Sequence, residues 1–261
     1  MNKSVLKYYE QGSGLPVILI HGFPLCNKMW RPQVTALADA GYRVICPDLP
    51  GFGESLPAER PASVSLYADA VIRLLDTLGV ERAVVGGMSM GGYVLLNLAE
   101  RYPERLLGAM FLVTRAAADD AVSKQKRTSL AAEISAGNLM IVPDTFASVL
   151  FAPDTSRKKP ELFFEVRQWM EKTPAEGMVG GLLAMRDRAD SVAKLAGFLM
   201  PSLVVGAELD MAVPLEHSRF LAELLPDAEL KIIPGAGHIA NLEEPELFNQ
   251  SLIGFLQRLS V

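Results

Sequence analysis

The chain has 261 residues, of which half are apolar and 21% are charged, a balance typical of a folded globular protein rather than a disordered chain. Its formal net charge of −5 argues against nucleic acid as a partner, because contacts to phosphates need a basic surface. The two cysteines exclude a disulfide framework and a multi-thiolate metal site. Any mechanism that uses histidine must draw on His21, His217 or His238.

The N-terminal residues contain no long apolar segment followed by a small-residue cleavage site, so we expect no signal peptide. No stretch approaches about 18 uninterrupted apolar residues, which argues against a membrane-spanning helix. The sequence therefore predicts a cytoplasmic protein that does not use a membrane as a partner.

Short apolar runs bounded by Gly or Pro alternate with longer helical stretches along much of the chain. In chain order, the runs that predict strands covered on both faces are residues 17–20, 43–46, 83–85, 109–113, 203–205 and 230–233. Between them, the apolar spacing of residues 66–78 predicts an amphipathic helix, and residues 93–101 predict another. This alternation predicts an α/β fold with a mostly parallel, twisted sheet and helices on both faces.

The alternation stops in residues 114–200, where no strong strand pattern occurs. This segment is rich in helix formers, and residues 161–172 predict a further amphipathic helix. An all-helical insertion between two strands is typical of a cap over the strand ends. We therefore predict a core of residues 1–113 and 201–261 with a helical cap of residues 114–200, together one functional unit. A set of ordinary peripheral helices is the alternative.

The segment Gly87-Met88-Ser89-Met90-Gly91 lies directly after one predicted strand and before a helix. A serine on such a sharp turn exposes its hydroxyl at the carboxyl edge of the sheet, and the small flanking residues let neighbouring backbone approach. The N–H groups at the N-terminus of the helix can stabilise a developing oxyanion. The pattern predicts Ser89 as a nucleophile and the N–H of Met90 as an oxyanion donor. A glycine-rich turn that serves packing alone is the alternative.

A second turn, His21-Gly22-Phe23-Pro24, follows the first predicted strand. A turn that faces the serine can supply a second oxyanion donor, here the N–H of Phe23, whereas Pro24 has no N–H to donate. We expect the imidazole of His21 to brace this loop by hydrogen bonding rather than to act in catalysis.

His238 is the predicted general base. It lies in a loop after the last predicted strand, and such a loop can bring an imidazole to a serine at the carboxyl edge of the sheet. The alternative for His238 is an ordinary surface-loop position. His217 falls within a predicted helix, and we expect it on a solvated face.

Asp210 is the predicted acid, because it follows the strand of residues 203–205 and can orient His238 and stabilise its cation. Its alternative is an aspartate that caps the helix beginning near Pro214. The other candidate acids are Glu208, Asp119 and Asp120.

Residues 235–240 contain a G-x-G-x-x-A pattern similar to a dinucleotide-binding fingerprint. That function also needs a second βαβ element and an acidic residue roughly 20 positions further on, for which too little chain follows. No phosphate-binding G-x-x-x-x-G-K-[ST] loop occurs either. We therefore expect neither a cofactor nor a metal.

The chain order of the predicted serine, acid and histidine, with the loop of residues 21–24, resembles the α/β-hydrolase family. Residues 48–55 resemble that family's D-x-x-G-x-G-x-S turn, and residues 237–245 resemble its G-H-x-x-x-x-E-x-P ending. The resemblance covers nearly the whole chain and implies the α/β-hydrolase fold. Within the family, the short cap resembles that of 3-oxoadipate enol-lactonase-like esterases and of cofactor-free haloperoxidases and perhydrolases.

This resemblance implies a serine hydrolase that cleaves carboxylic esters of small to medium acyl groups through an acyl-enzyme. Haloalkane dehalogenases and epoxide hydrolases of this fold use an aspartate nucleophile, and Ser89 stands in that position here. Lactone hydrolysis or peracid formation by the same triad is an alternative. A catalytically silent ligand-binding receptor is an alternative of another class. The expected partner is a small-molecule ester or lactone.

We predict that the substrate pocket is apolar. Its predicted lining residues are Phe23, Met88, Met90, Met140, Phe151, Trp169, Met178 and Val213. Such a lining favours an uncharged acyl chain over a charged diacid. For a diacid, Arg115 and Arg186 are the candidate cations.

Overall fold

A seven-stranded sheet forms the centre of the computed structural model, which describes residues 6–58 and 61–259. The strands are β1 (Tyr8–Gln11), β2 (Leu15–Ile20), β3 (Tyr42–Pro47), β4 (Ala83–Met88), β5 (Leu106–Leu112), β6 (Ser202–Ala207) and β7 (Ala228–Ile233). Their order across the sheet is β1-β3-β2-β4-β5-β6-β7. Every neighbouring pair is parallel except β1 and β3, which are antiparallel. The predicted α/β class with a mostly parallel sheet is confirmed.

The helices occupy the connections between strands. They are α1 (Arg31–Asp39), α2 (Val64–Thr77), α3 (Met90–Arg101), α4 (Ala121–Ser135), α5 (Ile141–Ala147), α6 (Thr155–Lys158), α7 (Pro160–Glu171), α8 (Ala175–Arg186), α9 (Leu215–Leu224), α10 (Ala240–Glu243) and α11 (Pro245–Leu259). Short 3-10 helices span Asn27–Trp30, Pro103–Arg105 and Val192–Gly197. The predicted helices at 66–78, 93–101 and 161–172 correspond to α2, α3 and α7.

The strand side chains alternate between two hydrophobic clusters, one on each face of the sheet. In β2, Ile18 and Ile20 join the cluster that contains α2 and α3, whereas Val17 and Leu19 join the cluster that contains α1 and α11. Successive side chains of a strand point to opposite faces. A strand that is covered on both faces must therefore be apolar throughout, and this explains the continuous apolar runs in the sequence.

One strand, β1, was missed by the sequence pattern. Its four residues, Tyr8–Gln11, are mostly exposed and show no apolar run. It lies at the edge of the sheet, where it pairs with β3 in antiparallel register. An edge strand forms backbone hydrogen bonds with a strand that is distant in the sequence but adjacent in the sheet. Its own residues therefore need not be apolar.

The fifth strand ends one residue earlier than predicted. Val113 has φ +42°, a value outside the β region and costly for a β-branched residue. The chain therefore turns sharply at this point, and Thr114 is directed back towards the turn after β4.

Between β5 and β6, the described chain contains α4 to α8 and a 3-10 helix but no strand. Helix α4 packs against α8, and residues of both helices join the cluster on the α2–α3 face. The division of the chain into a core and a cap stays a prediction. Residues 1–5, 59–60 and 260–261 of the predicted core lie outside the described residues.

The parallel arrangement brings several loops to one edge of the sheet. Ser89 directly follows β4, and Asp210 and His238 lie in the loops that follow β6 and β7. Strands β4, β5, β6 and β7 are consecutive neighbours and run in the same direction. The three residues therefore share the carboxyl edge of the sheet. In the part of the chain that the structure describes, no helix is long and apolar enough to span a bilayer.

The central strands should dominate stability. Leu19 is completely buried, whereas Leu199 is 75% exposed. We expect Leu19→Ala to lower the free energy of unfolding by about 3 kcal/mol, because it leaves a cavity in a close-packed region. Leu199→Ala, the matched control, should change it by less than about 0.5 kcal/mol. Urea denaturation followed by circular dichroism measures both, and equal effects would contradict this description of the core.

Candidate active site

Ser89 occupies a strained turn between β4 and α3. Its backbone has φ +52° and ψ −111°, a region that costs a non-glycine residue about 1–3 kcal/mol. The N–H of Ser89 donates to the carbonyl of Leu112 at 3.0 Å. Its own carbonyl accepts from the N–H of Gly92 and from the hydroxyl of Thr114, both at 2.9 Å. These bonds hold the turn against the end of β5.

Close backbone packing brings this turn beside the loop of residues 21–24. A Cβ on Gly91 would lie 2.3 Å from the carbonyl oxygen of Ile20 and 2.8 Å from that of His21. No side chain fits there, so glycine is required. A Cβ on Gly22 would lie 3.5 Å from the Cβ of Ser89. The loop after β2 therefore contacts the serine directly.

Two backbone donors near this contact have no acceptor within the protein. Across residues 6–58 and 61–259, the N–H groups of Phe23 and Met90 form no hydrogen bond to another residue. For Met90 the reason is its position at the first turn of α3, where N–H groups lack intrahelical acceptors. Both N–H groups are thus available to an oxygen atom of a ligand.

His238 and Asp210 form a close, buried pair. The distance between His238 Nδ1 and Asp210 Oδ2 is 2.7 Å, and their side chains are 5% and 0% exposed. The other carboxylate oxygen of Asp210 accepts the N–H groups of Ala212 and Val213, each at 2.8 Å. The backbone therefore orients the carboxylate, which in turn orients the imidazole with Nδ1 as donor.

The structure brings the predicted triad residues to one edge of the sheet, but only His238 and Asp210 are hydrogen-bonded to each other among the described residues. Within the described residues, Ser89 and His238 are not hydrogen-bonded to each other. Such catalytic hydrogen bonds are often long in ligand-free enzymes and tighten only when substrate binds. The half-buried position of Ser89 leaves its hydroxyl partly accessible from solvent.

The imidazole of His21 is fully buried, and both ring nitrogens are hydrogen-bonded. Nδ1 donates to the carbonyl of Gly22 at 3.0 Å, and Nε2 accepts the N–H of Leu49 at 3.0 Å. Burial lowers the pKa of His21, so the ring stays neutral. The ring also contacts Phe52 with its centroid 5.2 Å away. These contacts agree with the bracing role expected from the sequence.

His217 differs from its expected position. It lies on α9, and its ring is partly buried rather than fully solvated. Burial lowers the pKa of His217, and the nearby positive charge of Arg115 lowers it further. The sequence pattern missed this because the groups near His217 include Arg115, which is about 100 positions away along the chain and which a helical periodicity does not reveal.

Glu208, the nearest alternative acid, is engaged elsewhere. Its side chain is exposed, and Oε2 accepts the N–H of Gly235 at 2.8 Å. It supports the loop after β7 from the solvent side. Among the described residues, Asp210 is the acidic residue that pairs with a histidine.

The two acids that follow β5 also have other partners. Asp120 caps α4 by accepting the N–H of Ser123 at 2.7 Å. The carboxylate of Asp119 is buried and accepts from guanidinium groups at 2.5–2.7 Å; its partners are Arg115, Arg127 and Arg188. Although burial opposes ionisation, these cations lower the pKa of Asp119.

Both candidate cations for a charged substrate are already paired. Arg115 contacts Asp119 at 2.5 Å, and Arg186 contacts Asp187 at 2.7 Å. The charge of Arg186 is largely offset by the carboxylate of Asp187, which reduces its attraction for a substrate carboxylate. Arg115 shares the single carboxylate of Asp119 with Arg127 and Arg188, so that cluster keeps a net positive charge.

The predicted pocket residues are distributed unevenly. Those buried near the loops of the site are Phe23, Met88, Met90, Phe151, Met178 and Val213. Met140, at the start of α5, is 43% exposed, as a residue enclosed in an apolar pocket would not be. Trp169 lines a separate cavity that contains none of the triad residues. Both differ from the prediction, because helical spacing identified apolar residues but not the side to which they point.

Glu243 is a site residue that sequence reasoning did not single out. Its side chain is buried, and it accepts the N–H of Ala152 at 2.8 Å, the N–H of Gly237 at 2.7 Å and the hydroxyl of Thr155. It therefore ties the loop before α6 to the loop that carries His238. The available signal was the glutamate of the G-H-x-x-x-x-E-x-P segment.

The described residues include no group of three or more His, Cys, Asp or Glu side chains arranged to hold a metal ion. The edge of the sheet instead brings together Ser89, the hydrogen-bonded pair of His238 and Asp210, and two backbone N–H groups without an acceptor in the described residues.

Comparison with known proteins identifies the family. Residues 16–245 match the sequence profile of the α/β-hydrolase fold, and the chain belongs to this family of hydrolases. An esterase from Thermogutta terrifontis, solved with bound malate, is 35% identical and superposes with a TM-score of 0.95; the match covers 98% of this chain and 94% of that one.

Two further solved structures are similar. The enol-lactonase from Burkholderia xenovorans is 26% identical with a TM-score of 0.89, covering 97% of this chain and 96% of that one. A bromoperoxidase from Bacillus anthracis is 24% identical with a TM-score of 0.86, covering 96% and 94%, and shares the fold. The expected resemblance to enol-lactonase-like esterases and to haloperoxidases is confirmed.

Glu243 offers a test of how this site is held. We expect Glu243→Ala to lower the free energy of unfolding by about 3 kcal/mol, because it leaves buried N–H and O–H donors without an acceptor. The neighbouring Glu244→Ala is the matched control: Glu244 is half-buried and forms a partly exposed ion pair with Lys159, so its loss should cost less than about 1 kcal/mol. Chemical denaturation measures both. A Glu243→Ala protein as stable as the control would show that these bonds contribute little.

Proposed function

We propose that this hydrolase cleaves carboxylic esters of small to medium acyl groups through an acyl-enzyme, with Ser89, His238 and Asp210 as catalytic triad. The observation that carries the proposal is the 2.7 Å pair of His238 and Asp210 at the sheet edge where Ser89 occupies its strained turn. Strand-to-helix turns of this kind present the nucleophile in serine hydrolases. Membership of the α/β-hydrolase fold family supports the same chemistry.

In the proposed reaction, His238 Nε2 removes the proton of Ser89 Oγ as Oγ attacks the carbonyl carbon of the ester. The N–H groups of Phe23 and Met90 stabilise the negative charge that develops on the carbonyl oxygen. His238 then protonates the leaving alcohol, and an acyl-enzyme remains on Ser89. Water, activated by the same histidine, releases the acid and restores the serine.

Asp210 acts on the imidazole in this scheme. By accepting the Nδ1 proton it holds His238 in the tautomer whose Nε2 is free to accept, and it stabilises the imidazolium that forms. The two backbone N–H groups on its other oxygen keep the carboxylate from rotating away. The acid therefore supplies both orientation and charge.

We also propose that residues 114–200 form a cap over this edge. Three contacts support it. The ring of Phe146 packs edge-on against Phe23 with centroids 5.2 Å apart, and the hydroxyl of Thr173 donates to the carbonyl of Pro24 at 2.7 Å. A Cβ on Gly181 would lie 2.8 Å from the ring of Phe23. Such contacts would shape the acyl pocket next to the oxyanion donors.

The ester substrate class rests on similarity and on charge. The Thermogutta terrifontis protein is named an esterase, and it is similar over nearly the whole chain. The pairing of Arg186 with Asp187 favours an uncharged acyl group, although Arg115 shares the carboxylate of Asp119 with two other arginines and keeps part of its charge. Lactone hydrolysis is the second candidate, because the Burkholderia xenovorans protein is an enol-lactonase and ring opening uses the same acyl-enzyme.

Substitutions at the triad test the mechanism. Ser89→Ala should lower kcat/KM for p-nitrophenyl butyrate by about 10⁵-fold or more, because no acyl-enzyme can form. Asp210→Asn should lower it by roughly 10³- to 10⁴-fold, since the amide stabilises the wrong histidine tautomer. The measurement is steady-state hydrolysis with folding checked by circular dichroism.

Glu208→Gln is the matched control for the acid and should keep wild-type activity, because Glu208 is exposed and contacts no histidine. A fluorophosphonate should label the wild-type protein at Ser89, as located by mass spectrometry, and leave the Ser89→Ala protein unlabelled. Loss of activity in the Glu208 variant with a fully active Asp210 variant would assign the acid differently.

A panel of esters tests the acyl preference. We expect kcat/KM to be highest for p-nitrophenyl acetate and butyrate and to fall for the palmitate ester, because the proposed cap packs directly on Phe23 and would obstruct a long chain. An enol-lactone assayed in parallel decides between the two candidate activities. Preference for palmitate would contradict the small-acyl proposal, and preference for the lactone would favour the second candidate.

A further inference from the structure

A cavity of about 670 Å³ lies beside the residues that follow the loop of residues 21–24, where Cys26 and Asn27 line it. Its walls come from β1, the 3-10 helix Asn27–Trp30, the loop of residues 48–54 and the end of α7. None of the triad residues lines it. Its size is in the range of small-molecule binding pockets.

Cationic side chains line this cavity from three separate segments. They belong to Lys7 beside β1, Lys28 and Arg31 after the loop of residues 21–24, and Lys172 at the end of α7. In the described residues, the ammonium groups of the three lysines form neither an ion pair nor a hydrogen bond. The guanidinium of Arg31 forms an ion pair with Glu165 at 3.0 Å. The three lysines are therefore the cations of this cavity that lack a direct acidic partner in the described residues.

The acidic side chains of the cavity offset only part of that charge. Asp48 is buried, and its two oxygens accept the N–H groups of Asn27 at 2.7 Å and Glu54 at 3.0 Å. Glu54 supplies the second carboxylate of the lining. Because Glu165 neutralises Arg31, three unpaired lysines face two carboxylates, and the cavity keeps a small net positive charge in a chain whose net charge is −5.

An apolar surface lies among these charges. Trp169 lines the cavity, and the guanidinium of Arg31 lies 5.8 Å from the centre of its ring. Tyr8, Tyr9 and Val34 contribute further apolar area. A flat hydrophobic surface next to unpaired ammonium groups is suited to a ligand that has both an aromatic body and a negative charge.

We propose that this cavity binds a small organic anion whose planar apolar body packs on Trp169 and whose carboxylate or sulfonate lies among the ammonium groups of Lys28, Lys172 and Lys7. The site is separate from the proposed triad and does not need its activity. It adjoins the loop that carries Phe23, because the hydroxyl of Thr173 in its wall donates to the carbonyl of Pro24 at 2.7 Å.

The probe is 2-naphthoate, with neutral 2-naphthamide as matched ligand control, titrated into the full-length protein. Binding is measured by calorimetry and by tryptophan emission. The chain has two tryptophans, and Trp30 is completely buried, so an emission change lost in Trp169→Phe reports on the cavity. We expect one naphthoate per chain, much weaker binding of the amide, and weaker binding at high salt, which screens exposed charges.

Variants locate the bound anion. Lys28→Ala/Lys172→Ala should weaken naphthoate binding by about tenfold, because it removes two unpaired cations at a partly exposed site. Lys124→Ala/Lys126→Ala on α4 makes the same change in net charge away from the cavity and should leave the affinity unchanged. Thermal denaturation checks that both double variants are folded.

A second arm separates this cavity from the proposed active site. Naphthoate should bind equally well after a fluorophosphonate has reacted with Ser89. Equal affinity of naphthoate and the amide, equal loss in both double variants, absence of binding, or displacement by the phosphonate would each overturn the proposal. Failure of the phosphonate to react would count against the proposed esterase mechanism instead, and the lysine variants would still decide the cavity.

Discussion

The packing of the α3 N-terminus against the ends of β2 and β5 is the constraint on which the site depends. Gly91 lies so close to the carbonyls of Ile20 and His21 that no side chain fits between them. This contact holds Ser89 in a backbone conformation that an isolated turn would avoid. It also holds the loop that carries Phe23 against the turn that carries Ser89 and Met90, so the strained turn and the position of the two free donors have one cause.

Buried carboxylates hold the loops that surround this turn. Loops at the carboxyl edge of a parallel sheet cannot satisfy their N–H groups through the ladder, and an acceptor must come from a side chain. Asp48 accepts the N–H groups of Asn27 and Glu54. Asp210 accepts those of Ala212 and Val213. Glu243 accepts those of Ala152 and Gly237, which lie in two different loops. Asp210 also forms a hydrogen bond with His238, so the same carboxylate holds a loop and takes part in the proposed chemistry.

Two chemically different regions adjoin the loop of residues 21–24. One contains Ser89 and the free backbone donors. The other is the cationic cavity with Trp169, whose wall residue Thr173 donates to the carbonyl of Pro24. His21 fixes the loop by using both ring nitrogens. A ligand in the cavity would therefore lie next to a loop that also carries a proposed oxyanion donor.

Much of the fold and of the candidate site could be predicted from the sequence. Apolar runs identified six of the seven strands, because strands covered on both faces, such as β2 to β6, must be apolar. The run in β7 was also found, but this edge strand is not covered on both faces, since Lys231 and Ile232 are exposed. The G-x-S-x-G turn after β4 identified Ser89. Strand β1 could not be found in this way, since its stability comes from pairing with β3. Likewise, the exposure of Met140 and the direction of Trp169 depend on how helices pack, which apolar spacing does not reveal.

The sequence by itself determined which residues could react, because few of the side chains that follow predicted strands can act as a nucleophile, a base or an acid. It left Asp210, Glu208, Asp119 and Asp120 as candidate acids. Only the tertiary structure decided which carboxylate faces His238, because that depends on the loops after β6 and β7 lying side by side in a parallel sheet. The physical reason is that each side chain's chemistry can be read from its own position in the sequence. The distance of 2.7 Å between Asp210 and His238, which are 28 positions apart, depends on the packing of the whole sheet.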